Sequence, residues 1–177
     1  MHKFIFLAFL FVVPAFGQNQ TSDAFTSAGC GPKEVSFQVK VDKNHHATGQ
    51  VAPQEALIYI FNEETRDSDI TYIGAPTIRV GVDGTWVGAN SSRSYFFFAL
   101  PSGEHRLCVA MQGFAGDKYH ASAASAIAVD LGKTYYFRTI TERRQKREPG
   151  VKLESIDSAE GSLAIANCGL AVSHPKK

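Results

Sequence analysis

The chain has 177 residues, 18 Lys and Arg against 17 Asp and Glu, and 44% hydrophobic residues. That length suits one domain with a sizeable core, and so even a charge balance excludes broad electrostatic capture of a polyanion as the default role. Glycine and proline, 15 and 7, are too few for a collagenous or low-complexity chain.

Residues 1–17 read as a secretory signal. His2 and Lys3 form a short basic start, Phe4 to Val13 is an unbroken apolar run, and Pro14 breaks it. Ala15 and Gly17 then place small residues at the two positions a signal peptidase inspects, so cleavage is expected between Gly17 and Gln18. Removing this segment, in which Lys3 is the one charged side chain, leaves 17 basic against 17 acidic residues. As a membrane anchor the run is too short: at ~1.5 Å per residue it falls well below the ~30 Å hydrocarbon layer. No later segment approaches the length of a transmembrane span.

Residues 18–34 are rich in Ser, Thr, Gly and Asn and form an expected flexible lead-in to a single domain over 35–172. Val35, Phe37, Val39 and Val41 alternate with Ser36, Gln38 and Lys40, the pattern of a half-buried strand. Asn44 to Pro53 is a loop. Ala56 to Phe61 is apolar on both sides and too short for a helix, so it predicts a central strand. Thr77–Val82 and Thr85–Val87 flank the hairpin turn Asp83-Gly84, where positive φ is cheap. Tyr95–Leu100, His105–Gln112, Ala126–Val129, Thr134–Ile140 and Val151–Ile156 complete a set of short strands separated by turn residues. One helix is expected over about 157–167, with Asp157 and Glu160 as a capping box, Ala159, Leu163 and Ala166 on its apolar stripe, and Gly169 ending it. Residues 173–177 are left as a tail. These elements predict an all-β fold, an antiparallel β-sandwich of about eight strands with one short C-terminal helix.

Cys30, Cys108 and Cys168 lack the spacing of a zinc site, and the six histidines do not supply it. In an oxidising compartment the simplest arrangement is one disulfide and one leftover thiol. Alternation puts Leu107, Val109 and Met111 on one face of their strand and Cys108 on the other, more polar face, where a crossing N-terminal segment would reach it. Cys30–Cys108 is therefore the expected bond and Cys30–Cys168 the alternative, with Cys168→Ser expected to do little under the first. A lipid anchor at Cys30 is a further alternative, because Ser27-Ala28-Gly29-Cys30 loosely matches a lipoprotein processing site. Ser27 replaces a large aliphatic residue there, and the polar stretch Gln18–Ser22 separates the site from the apolar run.

Between Ala56 and Thr141 the chain carries Val82-Asp83-Gly84, Val87-Gly88, Ser94-Tyr95-Phe96, Pro101-Ser102-Gly103-Glu104-His105 and Gly132-Lys133-Thr134-Tyr135-Tyr136, in that order. This order resembles the bacterial domain of unknown function 2846, with a family-like core over 56–141. The flanks Cys30-Gly31-Pro32 and Val172 to Lys177 resemble a secreted acidobacterial branch of that group. The resemblance implies an exported β-sandwich, often described as a lipoprotein, and brings no established activity or catalytic residues.

No residue pattern names a reaction. Gly-x-Ser-x-Gly is absent, and Glu104 and His105 point to opposite faces of a strand, so His105 is expected to hold a backbone carbonyl. His45-His46 lacks a nearby carboxylate cluster, and Asp67-Ser68-Asp69 lacks the glycine and glutamate of a calcium loop. The Tyr95–Phe98 tract is expected in the core, Phe96 and Phe98 facing one layer, Tyr95 and Phe97 the other. Trp86 is expected to plug an end of the sandwich; Trp86 and Tyr95 are also the weak candidates for binding a ligand. Arg143 to Arg147 is expected to be a solvated hairpin tip rather than a nucleic-acid surface. The expected role is a non-enzymatic exported module, periplasmic or extracellular, that contacts an envelope protein or glycan without cofactor or metal. A structural envelope component without a ligand and a small hydrolase-type enzyme are the alternatives.

Overall fold

The computed structural model describes residues 28–63, 76–112, 121–142 and 150–176. The expected signal segment, most of the lead-in, Asp67, Asp69 and Arg143 to Arg147 lie outside the described residues. Ten strands and one helix follow in order: β1 Phe37–Asp42, β2 Glu55–Asn62, β3 Thr77–Val82, β4 Thr85–Asn90, β5 Ser94–Pro101, β6 Gly103–Gln112, β7 Ser122–Val129, β8 Thr134–Glu142, β9 Gly150–Ile156, α1 Ser158–Asn167 and β10 Gly169–Pro175. They build a six-stranded sheet, β1-β10-β5-β2-β8-β9, packed on a four-stranded sheet, β4-β3-β6-β7. The all-β sandwich is thus what the alternation patterns describe. Most neighbours are antiparallel, but β2 pairs β8 and β10 pairs β5 in parallel. Among the described residues no helix is long and apolar enough to cross a membrane.

The Asp83-Gly84 hairpin forms as its residues dictate: both take positive φ, 50° and 85°, the backbone of a type I′ turn. Even-numbered residues of β2, Ala56, Ile58 and Ile60, face the space between the sheets, where Val80, Val109 and Phe96 meet them. The odd-numbered ones, Leu57, Tyr59 and Phe61, face away from the other sheet and form a second apolar cluster with Tyr95, Ile156 and Ala164. The aromatic tract of β5 divides accordingly, Phe96 and Phe98 inward, Tyr95 and Phe97 outward. Each buried aromatic side chain contributes about 2–3 kcal/mol by leaving water.

Helix α1 and the segment ahead of β2 cover this outer cluster. Asp157 caps the helix, its Oδ1 accepting the Ala159 and Glu160 N–H groups, each at 2.9 Å. The buried face is Gly161 and Ala164, with Ile165 half-buried, rather than the expected Ala159, Leu163 and Ala166; Leu163 is 64% exposed. The reason is proximity. Gly161 sits directly on the Tyr136 ring, and a Cβ there would lie 2.4 Å from Tyr136 Cδ1. A stripe of larger side chains would lift the helix off the sheet.

The other differences lie at the first and last strands and at β7. The expected tail is strand through Pro175: β10 pairs β1 from Leu170 to Pro175, and Ser173 Oγ accepts the Ala89 N–H at 3.0 Å. The first strand starts at Phe37 rather than Val35, because residues 29–35 take another course, described below. Strand β7 begins at Ser122, extending the expected Ala126–Val129 through a run of Ala and Ser that carries no apolar alternation.

Replacing a glycine inside a helix by alanine ordinarily stabilises by up to ~1 kcal/mol. At Gly161 the sign should reverse, with a loss of about 1–3 kcal/mol from overpacking against Tyr136. Thermal melts of Gly161→Ala check this, and a raised melting temperature would refute the close helix–sheet contact.

Candidate functional site

Residues 29–35 form a strap along the outer face of the four-stranded sheet, antiparallel to β3 and directly over it. On β3, Ile78, Val80 and Val82 face the core, leaving Arg79 and Gly81 outside. Gly81 gives the strap its seat: a Cβ there would lie 2.9 Å from Gly29 O and 3.2 Å from Cys30 Cα. Cys30 bonds Cys108 with a Cα separation of 5.1 Å, inside the ~7 Å such a bond requires. The bond comes from the polar face of β6, as alternation predicts. Cys168 stays a buried thiol, so the Cys30–Cys168 alternative falls. The Cys30 sulfur, the atom a lipid anchor would use, is engaged in the bond to Cys108.

Two side chains hold the strap by its main-chain carbonyls. Arg79 Nη1 donates to Lys33 O at 3.0 Å and to Val35 O at 2.6 Å, and Trp86 Nε1 donates to Pro32 O at 2.8 Å. The Arg79 guanidinium also lies over the Trp86 ring, 4.6 Å from its centroid, a cation–π contact. Trp86 therefore clamps the strap instead of plugging an end of the sandwich. At the strap's far end Gln112 closes the run, its side-chain amide accepting from Phe37 N–H at 2.6 Å and donating to Phe37 O at 2.7 Å.

The second binding candidate, Tyr95, is fully buried. Its hydroxyl donates to Ala47 O at 2.7 Å, and burial first, then Tyr59 and Cys168, push its pKa up to about 12. Tyr59 Oη accepts the Gly49 N–H at 2.7 Å, and His46 Nδ1 donates to Ile165 O and Cys168 O at 2.9 and 3.0 Å. Both tyrosines and His46 thus tie residues 46–49 over the outer aromatic cluster. Cys168 lies in that cluster, its thiol pushed up to about 11, chiefly by burial and then by Glu63.

His105 Nε2 donates to Pro101 O at 2.9 Å, as expected for a turn histidine, while Nδ1 meets Asp83 Oδ2 at 2.6 Å. Glu104 takes no part in this contact. Asp83 Oδ1 accepts the Arg106 N–H at 2.8 Å. That amide first, and His105 second, hold the Asp83 carboxyl below its ordinary value of 3.8. Among the described residues no three of His, Cys, Asp and Glu are grouped to hold a metal ion.

Sequence patterns did not flag the group of polar residues at one end of the strands. Asn62 lies opposite Ser94 on β5 and Thr139 on β8, and all three share the face of Ile60, Phe96 and Phe137. Asn90, at the end of β4, joins them by donating from Nδ2 to Ile60 O at 3.1 Å. Thr139 Oγ1 donates to Phe61 O at 3.0 Å, and Ser94 Oγ to Ser91 O at 2.7 Å. All four residues are at most 3% exposed. Beside this layer, Arg138 bridges Glu154 at 2.9 Å and Glu63 at 3.3 Å. Three connections, 64–75, 113–120 and 143–149, leave their sheets from these same strand ends. The one signal for the layer is the apolar alternation of β2, β5 and β8 continuing into Asn62, Ser94 and Thr139.

No protein-family model matches the chain, and no curated protein matches it either. The residues themselves therefore carry the functional reading.

Breaking the staple should loosen the strap. Loop-closure entropy across the 78-residue separation sets an upper cost of about 4 kcal/mol for Cys108→Ser, with new protease cleavage ahead of Val35, read by mass spectrometry. Unchanged melting and cleavage would show that Arg79, Trp86 and Gln112 hold the strap alone. Contrary to the sequence expectation, Cys168→Ser should also destabilise, by about 1–3 kcal/mol, since it buries a hydroxyl among aromatics.

Asp83 gives a pH test. A carboxyl depressed in the folded state stabilises above its ordinary value, and this is lost as pH falls through the lower folded value. Asp83→Asn keeps a residue that tolerates positive φ. The melting-temperature gap between wild type and Asp83→Asn should be widest above about pH 4 and close below it. A gap independent of pH would contradict the Asp83 contacts.

Proposed function

We propose that the protein is an exported, non-enzymatic β-sandwich module whose role is to contact an envelope protein or a glycan. One observation supports this most: a two-sheet body stapled by Cys30–Cys108 places a buried polar layer beneath the strand ends from which three connections leave. Sandwich domains commonly recognise partners through loops at strand ends, on a scaffold too rigid to move with them. A disulfide closed inside the fold suits an oxidising compartment. The resemblance to domain of unknown function 2846 belongs to the same proposal, and the even charge balance favours a protein or glycan partner over a nucleic acid.

Reversible crosslinking in the native envelope, followed by capture of the full chain, tests the role. A single envelope protein or glycan retained at stoichiometric yield supports it. Recovery of the chain alone points to a structural component, and turnover of an ester, amide or glycoside panel would replace the proposal with an enzyme. Intact-mass analysis of the exported protein should begin at Gln18 without an acyl group, and a diacylated Cys30 would overturn that part.

A further inference from the structure

The polar layer at the strand ends contains one acceptor that the described residues leave without a donor. Asn90 is fully buried, and its Nδ2 is committed to Ile60 O at 3.1 Å, while its Oδ1 has no hydrogen-bond partner. Rotating the amide does not help, because it would set Oδ1 against the Ile60 carbonyl and forfeit the existing bond. The neighbouring hydroxyls cannot donate to it. Each hydroxyl has one proton; that of Thr139 goes to Phe61 O and that of Ser94 to Ser91 O. Both keep acceptor capacity.

A buried carbonyl-type oxygen without a donor is costly and rare in folded proteins. What fits here is a small ligand that donates to Asn90 Oδ1. We propose that this layer is a built hydration site, holding an internal water that donates to Asn90 Oδ1. Water is the smallest such ligand, and Asn90 is itself fully buried. Folded chains carry on the order of one buried water per ~27 residues, usually at polar groups that lack partners. The water completes the layer: Asn90 ties the end of β4 to β2, and the water occupies the remaining valence of that tie.

Two measurements on the full chain test this. A crystallographic map of the wild type should show a water within about 3.2 Å of Asn90 Oδ1. Oxygen-17 magnetic relaxation dispersion should count one fewer long-lived internal water in Asn90→Leu than in wild type. A map with a protein donor on Asn90 Oδ1, or with no density beside it, overturns the proposal, as does an unchanged water count in a folded Asn90→Leu. Should Asn90→Leu fail to fold, the wild-type map decides alone.

Discussion

Strand β2 is apolar on both faces and lies inside its sheet, so the fold has to cover it twice. The four-stranded sheet covers Ala56, Ile58 and Ile60, while α1 and the segment ahead of β2 cover Leu57, Tyr59 and Phe61. Much of the architecture follows. Because β2 pairs β8 in parallel, the chain between them must cross over, and it uses that crossover to build the whole second sheet. The helix has to lie low on Tyr136, which selects glycine at 161. Residues 46–49 have no apolar anchor of their own, and the tyrosine hydroxyls and His46 hold them down by hydrogen bonds.

The second sheet raises its own difficulty, since Arg79 points outward from its middle and is yet only 5% exposed. A covered guanidinium needs oxygen acceptors. The strap supplies them as main-chain carbonyls, and Trp86 lies beneath the charge. Strap and arginine therefore support each other: the strap has little apolar surface with which to dock, and its carbonyls at Lys33 and Val35 accept from the guanidinium. The disulfide, with both cysteines at 0% exposure, fixes that mutual arrangement from below.

The strands with one face buried were legible in the sequence because a period of two is local, and so was the Asp83-Gly84 turn. Cys30–Cys108 was legible for the same reason, since alternation alone set Cys108 on the outer face of β6. Strand β10 was not. Its pattern is interrupted by Ser173 and His174 and runs into Pro175, and what makes it a strand is a partner more than 125 residues earlier in the chain, Phe37 to Asp42. The stripe Ala159, Leu163, Ala166 was misleading because spacing reports which apolar residues align, whereas the packed face was decided by how closely a backbone can approach a ring. Arg79 reads as solvent-facing by alternation, correctly as to face. Its role appears only once the strap is laid over it. Likewise Asn62, Asn90, Ser94 and Thr139 look like ordinary strand ends until the register brings them together.

The two coverings also bear on where a partner can be met. A glycan or protein platform on a β-sandwich often uses a broad exposed sheet face with aromatic side chains on it. Here several of the aromatic side chains best placed for that purpose are already engaged: Tyr59, Tyr95 and Tyr136 beneath α1 and residues 46–49, and the half-buried Trp86 against the strap. The outer face of the six-stranded sheet is thus covered at β2, and that of the four-stranded sheet at β3. Under the proposed role, contact has to be made at strand ends or edges. The polar layer favours the ends: the core finishes there in Asn62, Ser94 and Thr139 instead of Ile or Phe, and strand ends are where such scaffolds commonly carry recognition.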